Sequence, residues 1–555
     1  MEQSYVIGLD FGTKSGRAIL VETRSGDIKA VSTADYSHGI MDQQLPDGTP
    51  LKKDWALQYP KDYLDVLESS VRGVLEQTGI PSSQVVGLSL DFTASTVLPV
   101  DDSLVPLCMK EEFTSRPHAY VKLWKHHAAQ KQADEINDYL TRKGLIDLPK
   151  FGGRISSEIL LPKILQIVEE DYEIYAAASQ ILEASDWICQ LLTGATRRTQ
   201  STAAYKAMWD DVNGYPDSEF FKEIHPALAD MVEKKLPGEV APVGSRFGTL
   251  TASWAERLGL EAGIAVGCGI IDAHAGLPGC GITRPGQMLL VLGTSSVQAI
   301  LSDFSYAKKG ICGSVKGGIM PGYYALESGL AAVGDVLGWF AANCTPGAYE
   351  REASDRNISV QQLLTEKASR LAPGQSGLIA LDWWNGNKTP YVDATRSGLI
   401  LGYTLSTKPE DVYRALIEST AFGTRLIMET FSQAGAVTEE IIACGGIPHK
   451  NPLLMQIYAD VLNKKIKLSA TAETSALGSA MYAAVAAGPE AGGYATIFEA
   501  TENMSHLEDY TYLPRREHAE IYEVLYQEYL VLINQFAPAE GDCMGRLKSQ
   551  IESPS

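Results

Sequence analysis

The strongest constraint this chain places on its own fold is a strand–turn–strand unit that occurs once in each half. Val6-Ile7-Gly8-Leu9-Asp10 reads as a buried strand, and Phe11-Gly12-Thr13-Lys14-Ser15-Gly16 as a tight turn into a second strand at 17–21. Glycine supplies the turn geometry between two apolar runs, and an acid, Asp10, stands at the mouth of the hairpin. In the second half, Met288-Leu289-Leu290-Val291-Leu292 runs through Gly293-Thr294-Ser295-Ser296 into a strand at 297–301. Gly12-Thr13-x-Ser15-x-x-Ala18-Ile19-Leu20 answers Gly293-Thr294-Ser295-Ser296-Val297-Gln298-Ala299-Ile300-Leu301, so one half reads as a distant copy of the other.

The 555 residues are too many for one core at roughly 150 residues per domain, and two domains are expected. Residues 84–90 and 264–271 read as further buried strands, while 161–174 and 186–192 carry apolar residues at helical spacing. Residues 411–432, 452–462 and 474–487 read as helices in the second half. Strands interleaved with helices predict an α/β fold. The Gly- and Pro-punctuated stretch Cys280-Gly281-Ile282-Thr283-Arg284-Pro285-Gly286 is the expected crossing. The predicted domains are therefore 1–281 and 282–555, the second ending in a helical C-terminal appendage from Tyr510.

Composition narrows the class of partner. With 47 basic against 68 acidic residues, the formal net charge of −21 argues against a footprint on phosphate backbones, so no nucleic-acid partner is expected. No window reaches the ~18 apolar residues of a membrane span, and the N-terminal residues show no basic, apolar leader. Eight scattered cysteines form no C-x-x-C pair, and a reducing, cytoplasmic setting without a membrane is the expectation.

Four places carry chemistry. In the first hairpin, Gly12, Thr13 and Ser15 can point N–H and hydroxyl donors at phosphate oxygens, Lys14 and Arg17 add positive charge, and Asp10 can hold a magnesium ion through water. An ordinary β-turn is the alternative for that hairpin alone. The second turn at Gly293 and Thr294 favours a nucleotide between two domains. Ile442-Ala443-Cys444-Gly445-Gly446-Ile447-Pro448 is a strand running into a Gly-Gly turn before a helix, where a ligand can approach the backbone closely; plain strand-to-helix packing is its alternative. Neither a Walker A loop nor G-x-G-x-x-G is present. Asp272, in Ile270-Ile271-Asp272-Ala273-His274-Ala275-Gly276, is a carboxylate at the end of an apolar strand and the candidate base for an acceptor hydroxyl. His274 reads as structural beside it.

The Asp10-Phe11-Gly12-Thr13 hairpin, the Asp272–Gly276 turn and Cys444-Gly445-Gly446, in this order, resemble the FGGY carbohydrate kinases, and the resemblance spans nearly the whole chain. It implies two actin-like (ribonuclease-H-type) domains around a catalytic cleft, with ATP and Mg there and γ-phosphate transfer to a sugar hydroxyl. By the family pattern Asp272 is the catalytic base, Asp10 the magnesium organiser, and Gly12, Thr13, Lys14, Gly293, Thr294, Gly445, Gly446 and Asn451 lie at the nucleotide. A homodimer is also implied.

Closer motifs resemble the branch of that family acting on L-ribulose in arabinose breakdown: Asp91-Phe92-Thr93-Ala94-Ser95-Thr96, the run from His118 to His127 containing Lys122-Leu123-Trp124-Lys125, Glu183-Ala184-Ser185-Asp186-Trp187, and Asp382-Trp383-Trp384-Asn385-Gly386-Asn387. An amphipathic helix with Leu123 and Trp124 inward is the alternative for the second of these. A polyol demands several directional hydrogen bonds. Ala94 leaves room for a sugar, and Lys206 and Glu327 are charged residues among apolar neighbours. A solvated helix lysine is the alternative for Lys206, and a helix cap or salt bridge for Glu327. Kinases for xylulose or ribitol, an actin-like chaperone-type ATPase and a sugar-sensing regulator remain rival functions.

Overall fold

A computed structural model describes residues 3–144, 151–306, 310–393, 395–537 and 542–552. In the first half, strands β1 (Tyr5–Phe11), β2 (Ser15–Glu22), β3 (Ile28–Asp35), β4 (Val85–Phe92), β5 (Arg246–Thr249), β6 (Ala265–Gly267) and β7 (Ile270–Ile271) form one sheet of order β5-β6-β4-β1-β2-β3, with β7 also on β4. In the second half, β8 (Gln287–Leu292), β9 (Ser296–Ser302), β10 (Cys312–Lys316), β11 (Tyr324–Leu330), β12 (Glu440–Cys444), β13 (Ile466–Ser469) and β14 (Leu507–Tyr512) take the order β14-β13-β12-β8-β9-β11-β10.

The two orders match over six strands, β5-β6-β4-β1-β2-β3 against β14-β13-β12-β8-β9-β11, while β7 in the first sheet and β10 in the second have no counterpart. Each begins with an antiparallel hairpin, β1–β2 or β8–β9, extended by a further antiparallel strand, β3 or β11. Each places a parallel strand on the other side of its first strand, β4 on β1 and β12 on β8. The duplication read from the hairpins thus extends to six strands of each sheet. The strands β1 and β8 are apolar on both faces because both faces are covered, the pattern of a central strand.

Helices α1 (Pro60–Thr78), α2 (Leu160–Glu170), α3 (Ala184–Thr193), α4 (Gln200–Lys206) and α5 (Asp272–Gly279) belong to the first half, and α6 (Pro409–Gln433), α7 (Pro452–Leu462), α8 (Thr474–Ala487) and α9 (Arg516–Phe536) to the second. The expected helix at 161–174 ends at Glu170, and a second one starts at Tyr172 after Asp171 caps it through its side chain. The strand expected over 264–271 is two short strands broken at 268–269.

The alanine-rich α8 lies within the first sheet's territory although it comes late in sequence. A Cβ on Gly8 of β1 would sit 1.9 Å from the Ala476 carbonyl, and one on Gly478 1.9 Å from that of Ala275. Glycine is required at both because backbones touch there. One buried cluster consequently mixes Val6, Ile19 and Ile271 with Ile442, Ala480 and Met481, so the 281/282 division does not confine each core to one half. The C-terminal stretch, expected as a helical appendage, opens with β14 on β13 and continues into α9, whose Tyr522, Tyr526 and Tyr529 are buried in the second core. No helix of the described residues is long and apolar enough to cross a membrane.

Candidate active site

Three carboxylates meet at the C-terminal ends of neighbouring strands. Parallel pairing of β1 with β4 sets Asp10 opposite Asp91, and β7 pairs Ile270 with Asp91, which delivers Asp272 just beyond the strand end at the start of α5. Burial holds the Asp10 carboxyl above the usual range, although Arg17, its partner across the hairpin, stands 3.3 Å away. Burial, and then the charges of Asp10 and Asp272, push Asp91 far up. Asp91 Oδ2 accepts the Ser479 hydroxyl of α8 at 2.7 Å, while its Oδ1 receives no N–H or O–H donor among the described residues. Arg17 also reaches the second half, donating to Glu473 at 2.8 Å.

The Asp272 side chain is half-buried, and its Oδ1 accepts the Ala273 N–H at 2.7 Å. Burial, then repulsion from Asp10, pushes its carboxyl up to about 7, a poise suited to taking a proton near neutral pH. Lys206 ends α4 half-buried, and its charge acts on both Asp272 and Glu327. Glu327 lies in β11, which excludes a helix cap, and its Oε2 meets His274 Nε2 at 2.7 Å. Burial opposes its ionisation, but the bond and charge of His274, with Lys206, hold it down to about 2. His274 is buried with its ring against Tyr205. Ala94 sits half-buried in the turn after β4, among Thr93, Ser95 and Thr96.

In both hairpin turns the glycine N–H donates back into the turn, but over different spans: Gly12 N–H to Ser15 O, three residues on, at 3.0 Å, and Gly293 N–H to Ser295 O, two residues on, at 2.9 Å. Thr13 accepts from the Trp124 indole at 3.2 Å through Oγ1 and from Gln58 at 2.8 Å through its carbonyl, leaving its hydroxyl proton free to donate. Lys14 and Thr294 are exposed. Gly445 follows β12 at φ +99°, where a Cβ would lie 2.5 Å from the Leu292 carbonyl, so the Gly-Gly turn is pressed against the second hairpin. Gly446 has open space around it. Asn451 caps α7, its Oδ1 accepting the Leu454 N–H at 3.0 Å, which leaves the side-chain nitrogen to a ligand.

The run from His118 to His127 is not an amphipathic helix. A short 3-10 turn at Pro117–Ala119 leads into the two-residue strand Val121–Lys122, and Lys122 and His126 are fully buried. Lys122 Nζ donates to the His118 carbonyl at 3.3 Å, and His126 Nε2 pairs with Gln166 at 3.0 Å.

Asp91 and Glu473 were not singled out as site residues by sequence. An acid ending the buried run at 85–92 was the available signal for Asp91; Glu473 carried none, since only the return of α8 brings it to Arg17. Among the described residues no group of three or more His, Cys, Asp or Glu side chains forms a metal cage. Mg2+ needs none, because it keeps several waters and takes one or two carboxylates plus substrate phosphates. Asp10, with the unfilled Oδ1 of Asp91 beside it, fits that donor set.

The comparisons with known proteins agree with this arrangement. Residues 5–279 match the N-terminal domain, and 288–487 the C-terminal domain, of the FGGY family of carbohydrate kinases. The chain is 47% identical over 550 residues to the ribulokinase of Halalkalibacterium halodurans, covering 99% of this chain and 98% of that one. It is 48% identical to the ribulokinase of Anoxybacillus flavithermus, covering 99% and 97%. In fold it is similar to the xylulose kinase of Rhodospirillum rubrum, with a TM-score of 0.80 at 23% identity over 96% of this chain and 99% of that one. Two duplicated sheets, a carboxylate trio and matches that run the length of the chain lead to one conclusion: it belongs to the FGGY family of carbohydrate kinases and is an ATP-dependent sugar kinase.

Proposed function

We propose that this kinase transfers the γ-phosphoryl group of ATP to the terminal hydroxyl of L-ribulose, giving L-ribulose 5-phosphate in L-arabinose catabolism. The observation that carries the reading is Asp272 at its strand end beside the Asp91 strand, its carboxyl raised to about 7 and within the influence of the Lys206 and Glu327 charges. The full-length likeness to ribulokinases supports the substrate.

Asp272 accepts the proton of the attacking hydroxyl, and Lys206 and Glu327 bind the sugar's other oxygens, the first as donor and the second as acceptor. Ala94 gives the sugar room where a larger side chain would fill the turn. The N–H groups and hydroxyls at Gly12, Thr13, Gly293 and Thr294 orient the phosphates, with Lys14 adding charge, while Gly445, Gly446 and Asn451 line the adenosine end. Asp10 would hold Mg2+, and that ion when bound would neutralise charge on the transferring phosphate.

ADP release measured with ATP, Mg2+ and, separately, L-ribulose, D-ribulose, xylulose, ribitol and glycerol tests the proposal. Highest turnover is expected with L-ribulose and none without sugar. Preference for another polyol moves the substrate, and sugar-independent hydrolysis overturns the reading.

A further inference from the structure

Lys163 is a lysine with no exposed surface, on the apolar helix α2 and far in sequence from every motif of the site. Its Nζ donates to two backbone carbonyls, Ser95 O at 2.5 Å and Leu123 O at 2.8 Å. Ser95 follows Ala94 and is left-handed at φ +54° without being glycine, a conformation that persists only where the surroundings over-determine it. Its own hydroxyl is buried with no hydrogen-bond partner among the described residues, so the side chain does not hold the turn. Leu123 precedes Trp124, whose indole grips Thr13 in the phosphate hairpin. One buried amine therefore ties the turn carrying Ala94 to the segment that steadies the phosphate hairpin.

The neighbouring Glu183 is also buried, with its Oε1 unpartnered among the described residues, and its charge opposes that of Lys163. Burial pushes the Lys163 ammonium down to about 7 and the Glu183 carboxyl up to about 7. A lysine kept at such a site against its desolvation has a job that an apolar residue could not do. Nothing in the fold of α2 itself requires one, since eight of the helix's first nine residues other than Lys163 are buried with it.

We propose that Lys163 is a positioning residue of the kinase: it locks the strained Ala94–Ser95 turn in register with the phosphate hairpin, so that the sugar is presented to the phosphoryl group. This rests on the reading of Ala94 as sugar-facing.

The test uses the full chain, ATP-Mg2+ and whichever sugar the unaltered protein phosphorylates best. Lys163→Met, of similar length but without a donor, should lower kcat/KM for sugar at least tenfold while the KM for ATP moves less than twofold. Ser95→Gly relieves the left-handed strain and removes only an unpartnered hydroxyl, so alone it should leave kinetics within twofold. Added to Lys163→Met, it should restore at least threefold of the lost kcat/KM, a rescue that a merely structural lysine would not show. Should Lys163→Met be unstable because Glu183 is left unpaired, Lys163→Met with Glu183→Gln replaces it, with Glu183→Gln as control. Unchanged sugar kinetics in a folded variant, equal losses for sugar and ATP, or absence of rescue overturns the proposal. Failure of both variants to fold overturns it too, assigning the lysine to fold maintenance. An unaltered protein that phosphorylates no sugar refutes instead the functional reading on which it stands.

Discussion

The chemistry comes down to where a proton sits on Asp272. Its carboxyl, raised from 3.8 to about 7 by burial and by Asp10, is a base only when ionised, so kcat/KM for sugar should rise with pH through about 7 and then level. Asp272→Asn should lower kcat about 10³-fold, within the usual range for a lost general base, with sugar KM nearly unchanged; a loss confined to KM would deny it that role. Stability follows the opposite sign. The folded state binds a proton between pH 3.8 and about 7 that the unfolded chain has released, so this group's contribution falls as pH rises through that window. Asp272→Asn cannot ionise, and its melting temperature should therefore exceed that of the unaltered protein at pH 8 by more than at pH 5. Lys206→Ala should raise the sugar KM about tenfold or more, the scale of a lost charged hydrogen bond, while an unchanged sugar KM would remove Lys206 from the site. The apolar strand end at Asp272 and the charged interruptions at Lys206 and Glu327 were legible in sequence. Their mutual approach was not, because it depends on three elements, α4, α5 and β11, that are separate in the chain.

At the scale of elements, the two glycines after β12 should separate cleanly. Gly445 combines a left-handed φ of +99° with a carbonyl 2.5 Å from its would-be Cβ, whereas Gly446 meets nothing within 4 Å. Gly445→Ala should thus destabilise the fold by about 1–3 kcal/mol, the range for strained backbone. Gly446→Ala should leave the melting temperature unmoved and raise the KM for ATP. Thermal melts and ATP titrations on the pair decide this, and equal melts would show that the turn relaxes. Most elements follow local pattern, with α7 and α8 falling on 452–462 and 474–487 as expected. The run from His118 to His127 departs from it. The alternative reading of it as an amphipathic helix put its basic residues on a solvated face, yet Lys122 and His126 are buried because the His118 carbonyl, the Ala56 N–H and Gln166 supply the partners that water would have.

Across the whole molecule, α8 is the element that makes two halves one body. Wedged by Gly8 and Gly478 against β1 and α5, it carries Ser479 to Asp91 and Glu473 to Arg17. The isolated segment 1–281 should therefore show no cooperative thermal transition, since β1 and β4 would expose the apolar surface that α8 covers. The full chain should melt as one unit. A fragment 1–281 that melts cooperatively would contradict this. The sequence by itself determined the two hairpins, the α/β alternation and the principal acid, because these are short-range patterns of apolar residues, glycines and carboxylates that neighbouring positions settle among themselves. Only the tertiary structure decided that Asp91 stands beside Asp10, that Glu473 returns to the first hairpin, and that a lysine on α2 holds the turn after β4. Each of those depends on strand register or on the return of a distant element, and burial then sets the charge of every group so enclosed.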